Sequence, residues 1–300
     1  MAREPRTDRV AFLGLGLMGS LMAACLRRAG FDLAVWTRTP GKAEAWAHAH
    51  GAEAFATPAA AAAGAAGVVT MVVDGAQVRE VLLGAEGALA GGGAGVLCVD
   101  CSTIGPDAAR AIGAEVAARG GAFVDAPVTG STPKATDGTL TIMAGGTGAD
   151  VARARPLLDA MGATIVHVGP SGHGQAVKVI GNAVATANLA AAAQALVVGQ
   201  AAGLDVDRLA EVLNAGVAGS AVLTLKSGAL LGHDYTTLFK LDHMIKDVAL
   251  CLEAARDAGV PFPAAAEAQE LLVAAAGRGH GDDDYVSLLE AVEGLAGRRL

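Results

Sequence analysis

Short apolar runs alternate with helical patterns through the first half of the chain. The apolar runs have the length of β-strands and are bounded by turn residues, whereas the segments between them carry apolar residues at helical spacing. The predicted strands cover residues 10–14, 32–36, 67–73, 96–100, 122–126, 139–144 and 163–168. Such alternation predicts a largely parallel sheet with helices on both faces.

The pattern changes after about residue 169, where only helical patterns remain. The predicted helices cover residues 174–202, 205–215, roughly 238–258, 263–276 and 284–296. The sequence therefore predicts an α/β domain over residues 1–168, followed by an all-α domain over residues 169–300.

Composition and charge narrow the possible classes of function. The chain has 300 residues, a formal net charge of −8 and no basic cluster, which argues against nucleic acid or an anionic membrane surface as the main partner. Residues 1–9 are polar and lack the apolar core of a signal peptide. The four cysteines fit a reducing compartment, so we expect a cytoplasmic protein.

An apolar stretch at residues 179–202 is long enough to raise the question of a membrane span. Asn182, Asn188, Gln194 and Gln200 recur through it, and polar side chains are costly in lipid. We therefore interpret it as a buried helix of a soluble protein, with no membrane partner. Because such a helix must be covered on every side, we expect a second subunit to supply part of the cover, in a homodimer or homotetramer.

Cys98 and Cys101 have the C-x-x-C spacing, but they lie at the end of a predicted strand rather than at a helix start. Residues three apart on a strand point to opposite faces, and the sequence has no second pair to complete a zinc site. We predict neither a redox function nor a metal site.

A glycine-rich turn joins the first predicted strand to a helical segment at residues 20–28. Its sequence is Gly14-Leu15-Gly16-Leu17-Met18-Gly19. In this arrangement the first glycine permits a tight turn, the second lets a pyrophosphate approach the backbone, and the third allows close packing of helix and strand. The helix N-terminus faces the phosphates. The pattern predicts a Rossmann-like dinucleotide-binding domain, with these six residues at the cofactor.

The end of the second predicted strand indicates which dinucleotide is bound. Enzymes that prefer NAD usually have Asp or Glu there for the ribose hydroxyls, whereas this chain has Thr37, Arg38 and Thr39. The Arg38 guanidinium can pair with the 2′-phosphate of NADP, assisted by the two hydroxyls and by Lys42. We predict NADP(H), with NAD less favoured; a solvated loop arginine is the alternative. Val73, at the end of the third predicted strand, is a further predicted cofactor contact.

Loops at the carboxyl ends of the later strands are candidate ligand sites, because open parallel sheets bind ligands there. One such loop covers residues 100–103 and the next covers residues 125–131. Thr129, Gly130 and Ser131 offer hydroxyls and unhindered backbone N–H groups, which suit a carboxylate. An ordinary turn is the alternative interpretation.

Lys178 and Asn182 lie four residues apart in the long apolar helix, so they project from the same face. A lysine at the start of an otherwise nearly uncharged segment suggests a function. Together the two residues can deliver a proton to one small molecule and orient it. The alternative is a lysine at the frayed start of a core helix that extends its amine to water. Phe239 and the pair Lys246-Asp247 come later, in a predicted helical segment. A charged pair in such a segment usually lies on the solvent-exposed face of the helix.

Together these ordered motifs resemble the β-hydroxyacid dehydrogenase family, from Val10 to about Pro263. The resemblance implies a Rossmann-like domain followed by a helical domain for substrate binding and oligomerisation. It also implies that Lys178 is the catalytic lysine and that Asn182 helps to hold the substrate. It further assigns Thr129, Gly130 and Ser131 to the substrate carboxylate, Phe239 and Asp247 to the substrate, and Thr103 and Lys246 to the nicotinamide.

The loop from Gly130 to Gly138 resembles the glyoxylate and succinic semialdehyde reductase branch. It is less similar to 3-hydroxyisobutyrate dehydrogenases, which tend to have a second glycine at the position of Ser131. The chain departs from the family pattern at two places, Gly181 in place of a frequent asparagine and the run Thr132-Pro133-Lys134. Both departures affect the expected identity of the substrate but not the expected type of reaction.

By this resemblance we expect hydride transfer between NADPH and a small carboxylated aldehyde, keto acid or β-hydroxy acid, with Lys178 as general acid and base. Three alternatives stay open: a 3-hydroxyisobutyrate or tartronate semialdehyde dehydrogenase, an imine reductase, and an NADPH-binding protein without catalytic activity. Imine reductases usually have another residue at the lysine position, and non-catalytic relatives tend to lose the lysine. Lys178 therefore argues against the second and third alternatives.

Overall fold

The computed structural model describes residues 8–300. The segment at residues 1–7, on which most of the expectation of no signal peptide depends, lies outside the described residues. The chain divides into two compact units, one that ends at Lys178 and one that comprises Val179–Leu300. The domain boundary predicted at residues 168 and 169 comes shortly before the helix that contains Lys178.

In the described part of the first unit, nine strands form one sheet. They are β1 (Arg9–Leu13), β2 (Asp32–Trp36), β3 (Glu53–Ala54), β4 (Gly67–Thr70), β5 (Leu97–Asp100), β6 (Ala122–Asp125), β7 (Val128–Thr129), β8 (Leu140–Gly145) and β9 (Gly162–Gly169). Their order across the sheet is β3-β2-β1-β4-β5-β6-β8-β7, with β9 paired to β8. From β3 to β6 all neighbours are parallel, whereas β6 and β7 each pair with β8 in the antiparallel sense.

Helices pack on both faces of this sheet. They are α1 (Leu17–Arg28), α2 (Lys42–His50), α3 (Pro58–Ala62), α4 (Gly75–Leu83), α5 (Ala88–Gly91), α6 (Pro106–Ala118), α7 (Ser131–Asp137) and α8 (Gly148–Met161). On β1, Val10 and Phe12 belong to one apolar cluster, while Ala11 and Leu13 belong to another. Because successive side chains of a strand alternate between faces, the two clusters are the packing layers above and below the sheet.

The strand order reverses between β1 and β4. The chain leaves β1 for β2 on one side and later reaches β4 on the other side. Open sheets bind ligands outside the carboxyl ends of the strands at such a reversal. β1 ends at Leu13, so the glycine turn that follows it lies at this point.

The second unit is helical. Helix α9 (His173–Ala201) contains the division between the units, and α10 (Val206–Ala215), α11 (Ala221–Gly232), α12 (Leu241–Asp257), α13 (Pro263–Ala275) and α14 (Leu289–Ala296) follow it. A π-helical turn at Ala276–His280 and a 3₁₀ turn at Tyr285–Leu288 precede α14. Val179 and Leu196 of α9 pack in one core with Met244 and Leu272.

The predicted fold class, a Rossmann-like α/β domain followed by a helical domain, is confirmed. The sequence pattern missed β3 and β7, which have two residues each and are too short to show a period. It also missed α11, which buries Lys226 and exposes Leu225, the reverse of the usual pattern. The third predicted strand ends at Thr70, so Val73 lies in the loop that follows.

In the described part of the chain, α9 is the one helix whose length and composition would allow it to cross a membrane. Of its most apolar stretch, 44% is buried within the protein. Its buried positions include the polar residues Gln175, Asn182 and Thr186. Core helices of soluble proteins have the same length and composition, so this observation alone is weak evidence for a membrane span.

Candidate active site

The glycine turn after β1 has the geometry of a phosphate-binding loop. Gly14 has a φ of +109°, and a Cβ added to it would overlap the Met71 carbonyl oxygen. A Cβ on Gly19 would overlap the carbonyl oxygen of Gly14, whereas one on Gly16 would meet nothing within 4 Å. The fold itself therefore requires Gly14 and Gly19, and the open space at Gly16 fits a ligand that approaches the backbone.

The first turn of α1 offers hydrogen-bond donors at this loop. Gly16 is the N-cap residue and makes no side-chain capping bond, so the first backbone N–H groups of the helix are available to an anion. Leu15 is fully buried in the core, whereas Leu17 is 54% exposed and Met18 is half-buried. Leu15 therefore meets a cofactor only through its backbone.

A pocket of about 280 Å³ opens at the carboxyl end of β2. Trp36 and Phe55 supply aromatic surface, and Arg38 and Glu44 supply charge. Thr37 and Thr39 also line the pocket. Lys42, the first residue of α2, is exposed and is not among the lining residues. The predicted cluster at this strand end thus forms around a cavity, and Glu44 is a carboxylate that the sequence interpretation did not include.

Asp100 ends β5 in a fully buried position. Its Oδ1 accepts hydrogen bonds from the Thr70 hydroxyl at 2.7 Å and from the Ser102 backbone N–H at 3.1 Å. Its Oδ2 has no hydrogen-bond partner among the described residues. Burial, with a smaller contribution from the nearby Asp125 charge, raises the pKa of this carboxyl to about 6, and the hydrogen bonds from Thr70 and Ser102 oppose the shift. Asp100 is thus a structural carboxyl that holds the loop in which Thr103 lies.

Ser102 joins the loops that follow β4 and β5. Its hydroxyl accepts a hydrogen bond from the Val72 backbone N–H at 2.9 Å. Val73, the next residue, is 39% exposed, and Thr103 is half-buried. The two predicted cofactor contacts therefore lie on loops that one hydrogen bond connects.

The loop between β7 and α7 has an unusual backbone. Gly130 has a φ of +134° and Ser131 a φ of +58°, a conformation that few residues other than glycine adopt. The Ser131 hydroxyl is enclosed and has no hydrogen-bond partner among the described residues. The methylenes of Lys134 lie against Gly130, since a Cβ added there would be 2.7 Å from Lys134 Cδ. Thr129 and Lys134 are exposed.

The start of α9 is capped by a carboxylate from β6. Asp125 Oδ1 accepts a hydrogen bond from the Gly172 N–H at 2.7 Å, and its Oδ2 accepts one from the Gln175 N–H at 3.0 Å. Burial raises the pKa of Asp125, while these bonds oppose the shift. Lys178 follows in the next turn and is only 8% exposed. A side chain on Gly174 would meet the Asp125 carboxylate at 2.8 Å, so the glycine permits this cap.

Buried Asn182 and Asp247 and partly exposed Lys246 form one polar group in the second unit. The Asn182 amide donates to Asp247 Oδ2 at 2.7 Å, and Lys246 Nζ lies 2.8 Å from Asp247 Oδ1. Asp247 is 1% exposed. The structure thus brings together three predicted site residues, with Asn182 hydrogen-bonded to Asp247 and Lys246 ion-paired with it.

Phe239 precedes α12, and a hydrogen bond from its backbone N–H fixes its position. Its N–H and that of Leu238 donate to Asp284 Oδ2, which also accepts from Lys226 Nζ at 2.8 Å. The Phe239 ring packs edge-on against Tyr285. The sequence analysis did not identify Lys226 and Asp284. The signal was a lysine within an apolar segment, which indicates a buried ion pair.

Two families match successive parts of the chain. Residues 9–169 match the family described as the NAD binding domain of 6-phosphogluconate dehydrogenase. Residues 172–292 match the family described as NAD-binding of NADP-dependent 3-hydroxyisobutyrate dehydrogenase.

Relatives match nearly the whole chain. The 3-sulfolactaldehyde reductase of Escherichia coli is 36% identical over 291 residues, which are 96% of this chain and 97% of the relative. The chloroplastic glyoxylate/succinic semialdehyde reductase 2 of Arabidopsis thaliana is 32% identical over 98% of this chain and 82% of the relative. A solved 3-hydroxyisobutyrate dehydrogenase of Mycobacterium tuberculosis, with L-serine, has a TM-score of 0.86 and 30% identity over 96% of this chain and 99% of that one.

Proposed function

This chain belongs to the β-hydroxyacid dehydrogenase family, and we propose that it interconverts a small carboxylated aldehyde or keto acid and its hydroxy acid with NADP(H). It is an oxidoreductase with an NAD(P)-binding domain, of the type that acts on small semialdehydes or hydroxy acids. The proposal adds the carboxylate on the substrate, the preference for NADP(H) and the roles of individual residues.

The observation that carries the proposal is the burial of Lys178. An ammonium is costly to bury, so a lysine that is 8% exposed in an apolar helix indicates a defined role at this position. The Asp125 cap fixes the turn that precedes it. A lysine held in this way is suited to transfer a proton at one defined position.

Lys178 would act on the carbonyl oxygen of the substrate. When bound, the nicotinamide supplies the hydride. As negative charge develops on the oxygen, the Lys178 ammonium donates a proton to it, and in the reverse direction the amine accepts the proton from the hydroxyl. The chain thus supplies a general acid and base at the atom where charge changes.

Asn182 would orient the reacting end of the substrate. Because its amide nitrogen donates to Asp247, its amide oxygen points away from that carboxylate. The oxygen can accept a hydrogen bond from the hydroxyl of a hydroxy acid. Asp247 would orient the Asn182 amide through Oδ2, and its own contact with the substrate stays a prediction.

The loop at Thr129, Gly130 and Ser131 would hold the substrate carboxylate. The Ser131 hydroxyl lacks a protein partner among the described residues, and a carboxylate oxygen would supply one. Lys134 adds a positive charge beside Gly130. A substrate with an anionic end group fits these features better than a neutral aldehyde does.

Arg38 supports the preference for NADP(H). Its pocket also contains two threonine hydroxyls and two aromatic rings, which suit a 2′-phosphate and an adenine, respectively. Glu44 opposes the phosphate charge, so we expect measurable use of NADH beside NADPH.

The direct test is the oxidation of NADPH and NADH, followed at the nicotinamide absorbance. The substrates are glyoxylate, succinic semialdehyde, methylmalonate semialdehyde, tartronate semialdehyde and one cyclic imine. We expect a carboxylated aldehyde to be reduced faster with NADPH. Turnover of the imine alone would contradict the proposal and place the chain with the imine reductases, and cofactor binding without any turnover would favour a non-catalytic protein.

Replacing Lys178 by methionine tests the proposed acid and base. Lys178→Met keeps most of the side-chain volume and removes the ammonium, so we expect turnover to fall by about 10²–10⁴-fold with NADPH affinity within about threefold of the original. Gln194→Ala, an exposed position on the same helix, is the control. Unchanged turnover in Lys178→Met would remove Lys178 from the mechanism.

A further inference from the structure

The carboxamide of Gln175 connects the start of α9 with the loop that contains Thr103. Its Nε2 donates to the Ser102 carbonyl oxygen at 2.7 Å, and its Oε1 accepts from the Ile104 backbone N–H at 3.0 Å. The two bonds bracket Thr103 on either side. Gln175 itself is fully buried, so these bonds are shielded from solvent.

The backbone of the same residue is fixed independently. The Gln175 N–H donates to Asp125 Oδ2 at 3.0 Å, within the cap of α9. Gln175 therefore has its main chain attached to β6 and its side chain attached to the loop after β5. Lys178 lies three residues further along the same helix, one turn from this anchor.

The hydrogen bonds continue to the loop after β4. The Ser102 hydroxyl accepts from the Val72 N–H at 2.9 Å, and the Ser102 N–H donates to Asp100 Oδ1 at 3.1 Å. A single hydrogen-bond network, mostly buried, thus contains the loops of both Val73 and Thr103 and the first turn of the helix that carries Lys178. Gln175 is the member that connects the helix with the loops by its side chain.

We propose that Gln175 is a positioning residue, which sets Lys178 in register with the loops that would contact the nicotinamide. This inference rests on the proposed function. Hydride and proton must reach the same carbonyl group, and an error of about 1 Å in the placement of a reacting group can cost about 10²-fold in rate. A side chain with two bonds to one loop restricts both translation and rotation of the helix start.

The test compares Gln175→Met, which keeps the length and removes both hydrogen bonds, with Gln175→Glu. The carboxylate of the second variant still accepts from the Ile104 N–H but no longer donates to the Ser102 carbonyl. The readout is the single-turnover rate of NADPH oxidation at saturating substrate, with the NADPH dissociation constant and the melting temperature measured beside it.

For Gln175→Met we expect a single-turnover rate about 10–100-fold lower, NADPH affinity within about threefold, and a KM changed less than kcat. Gln175→Glu should fall between this variant and the unchanged protein. Tyr235→Phe removes another part-buried hydrogen bond, to Glu290 at 2.7 Å, and controls for a general loss of stability. Tyr235→Phe should keep the full rate even if its melting temperature falls as much as that of Gln175→Met.

Three results would overturn the inference. One is a rate within about twofold of the original in Gln175→Met, another is a full rate in Gln175→Glu, and the third is an equal loss of rate in the Tyr235→Phe control. Lys178→Met is measured in parallel so that the two proposals separate. A slow Lys178→Met with a normal Gln175→Met contradicts only the positioning role, whereas a normal Lys178→Met contradicts the proposed mechanism itself.

Discussion

At the residue scale, two neighbouring carboxyls are buried at the carboxyl ends of parallel strands. Asp100 and Asp125 are register partners on β5 and β6, and burial raises the pKa of both. Asp125 has two backbone N–H donors, whereas one oxygen of Asp100 has no partner among the described residues. Protonation near neutral pH is therefore expected at Asp100 first.

Asp100 should make stability depend on pH. Its pKa is about 6 in the folded protein and 3.8 for an unperturbed carboxyl, so folding favours the protonated form. This stabilisation is complete below about pH 4 and is lost as the pH rises through about 6, a change on the order of 3 kcal/mol. In Asp100→Asn the amide oxygen can still accept from Thr70 and Ser102, but nothing titrates.

The measurement is the free energy of unfolding by denaturant from pH 4.5 to 8, at about half-unit steps, for both proteins. We expect the difference between Asp100→Asn and the unchanged protein to move in favour of the variant as the pH rises. Asp159→Asn, at a surface ion pair, is the control. Parallel curves for Asp100→Asn and the unchanged protein would show that Asp100 keeps an ordinary pKa.

Arg38 should decide the choice of cofactor. A charge-assisted hydrogen bond is worth about 1.5–3 kcal/mol, so Arg38→Leu should weaken NADPH binding by about 10–100-fold and change NADH binding by less than about threefold. Glu44→Gln should strengthen NADPH binding a few-fold, because it removes a negative charge from the pocket. Fluorescence titration with both cofactors measures these constants.

The matched control is Arg155→Leu, at a surface arginine that pairs with Asp159. It should leave both affinities unchanged. If Arg38→Leu weakens NADH as much as NADPH, then Arg38 does not read the 2′-phosphate.

At the element scale, two glycines of the turn between β1 and α1 have different roles. Gly19 is required for the packing of the fold, whereas Gly16 leaves space for a ligand. Gly19→Ala places a methyl group against the Gly14 carbonyl, so we expect a loss of about 1–3 kcal/mol in the free energy of unfolding. Gly16→Ala fills open space, so stability should change by less than about 1 kcal/mol, while NADPH affinity falls at least tenfold.

Thermal unfolding and cofactor titration of both variants test this difference. An NADPH affinity unchanged in Gly16→Ala would mean that the pyrophosphate does not approach this turn. The elements themselves were predictable where they are long and periodic, as in β1 and α9. They were not predictable in α11, where a buried ion pair between Lys226 and Asp284 reverses the expected pattern of exposure.

At the scale of the whole molecule, α9 leaves a row of apolar side chains exposed. Val177, Ile180, Val184 and Val198 are 43%, 52%, 43% and 67% exposed, respectively. Their spacing of three, four and fourteen residues keeps them near one face of the helix. This face supports the prediction of a homodimer or homotetramer.

Light scattering at micromolar concentration tests the assembly, and a single monomer peak would contradict it. In Val198→Lys a charge enters the exposed row, so we expect the oligomer to dissociate at concentrations where the unchanged protein stays assembled. Val260→Lys is a control at another exposed valine, which lies outside α9. If both variants have the same oligomeric state, this face of α9 is not the interface.

The features that depend on local spacing could be predicted from the order of amino acids alone. The glycine turn, the arginine after β2, and the four-residue separation of Lys178 and Asn182 are visible because turns and helices relate residues that are close along the chain. The order of strands and helices followed from the same short periods. These features indicated a dinucleotide-binding domain and a helical domain.

The contacts between groups that are distant along the chain could not be predicted and became visible in the folded protein. Asn182 and Asp247 are 65 residues apart, Gln175 and Ser102 are 73 apart, and Asp125 and Gln175 are 50 apart. No local period relates such positions, because their contacts arise when strands and helices pack and each buried polar group must find a partner. Folding thus decided the cap of α9, the bonds of Gln175 and the orientation of Asn182.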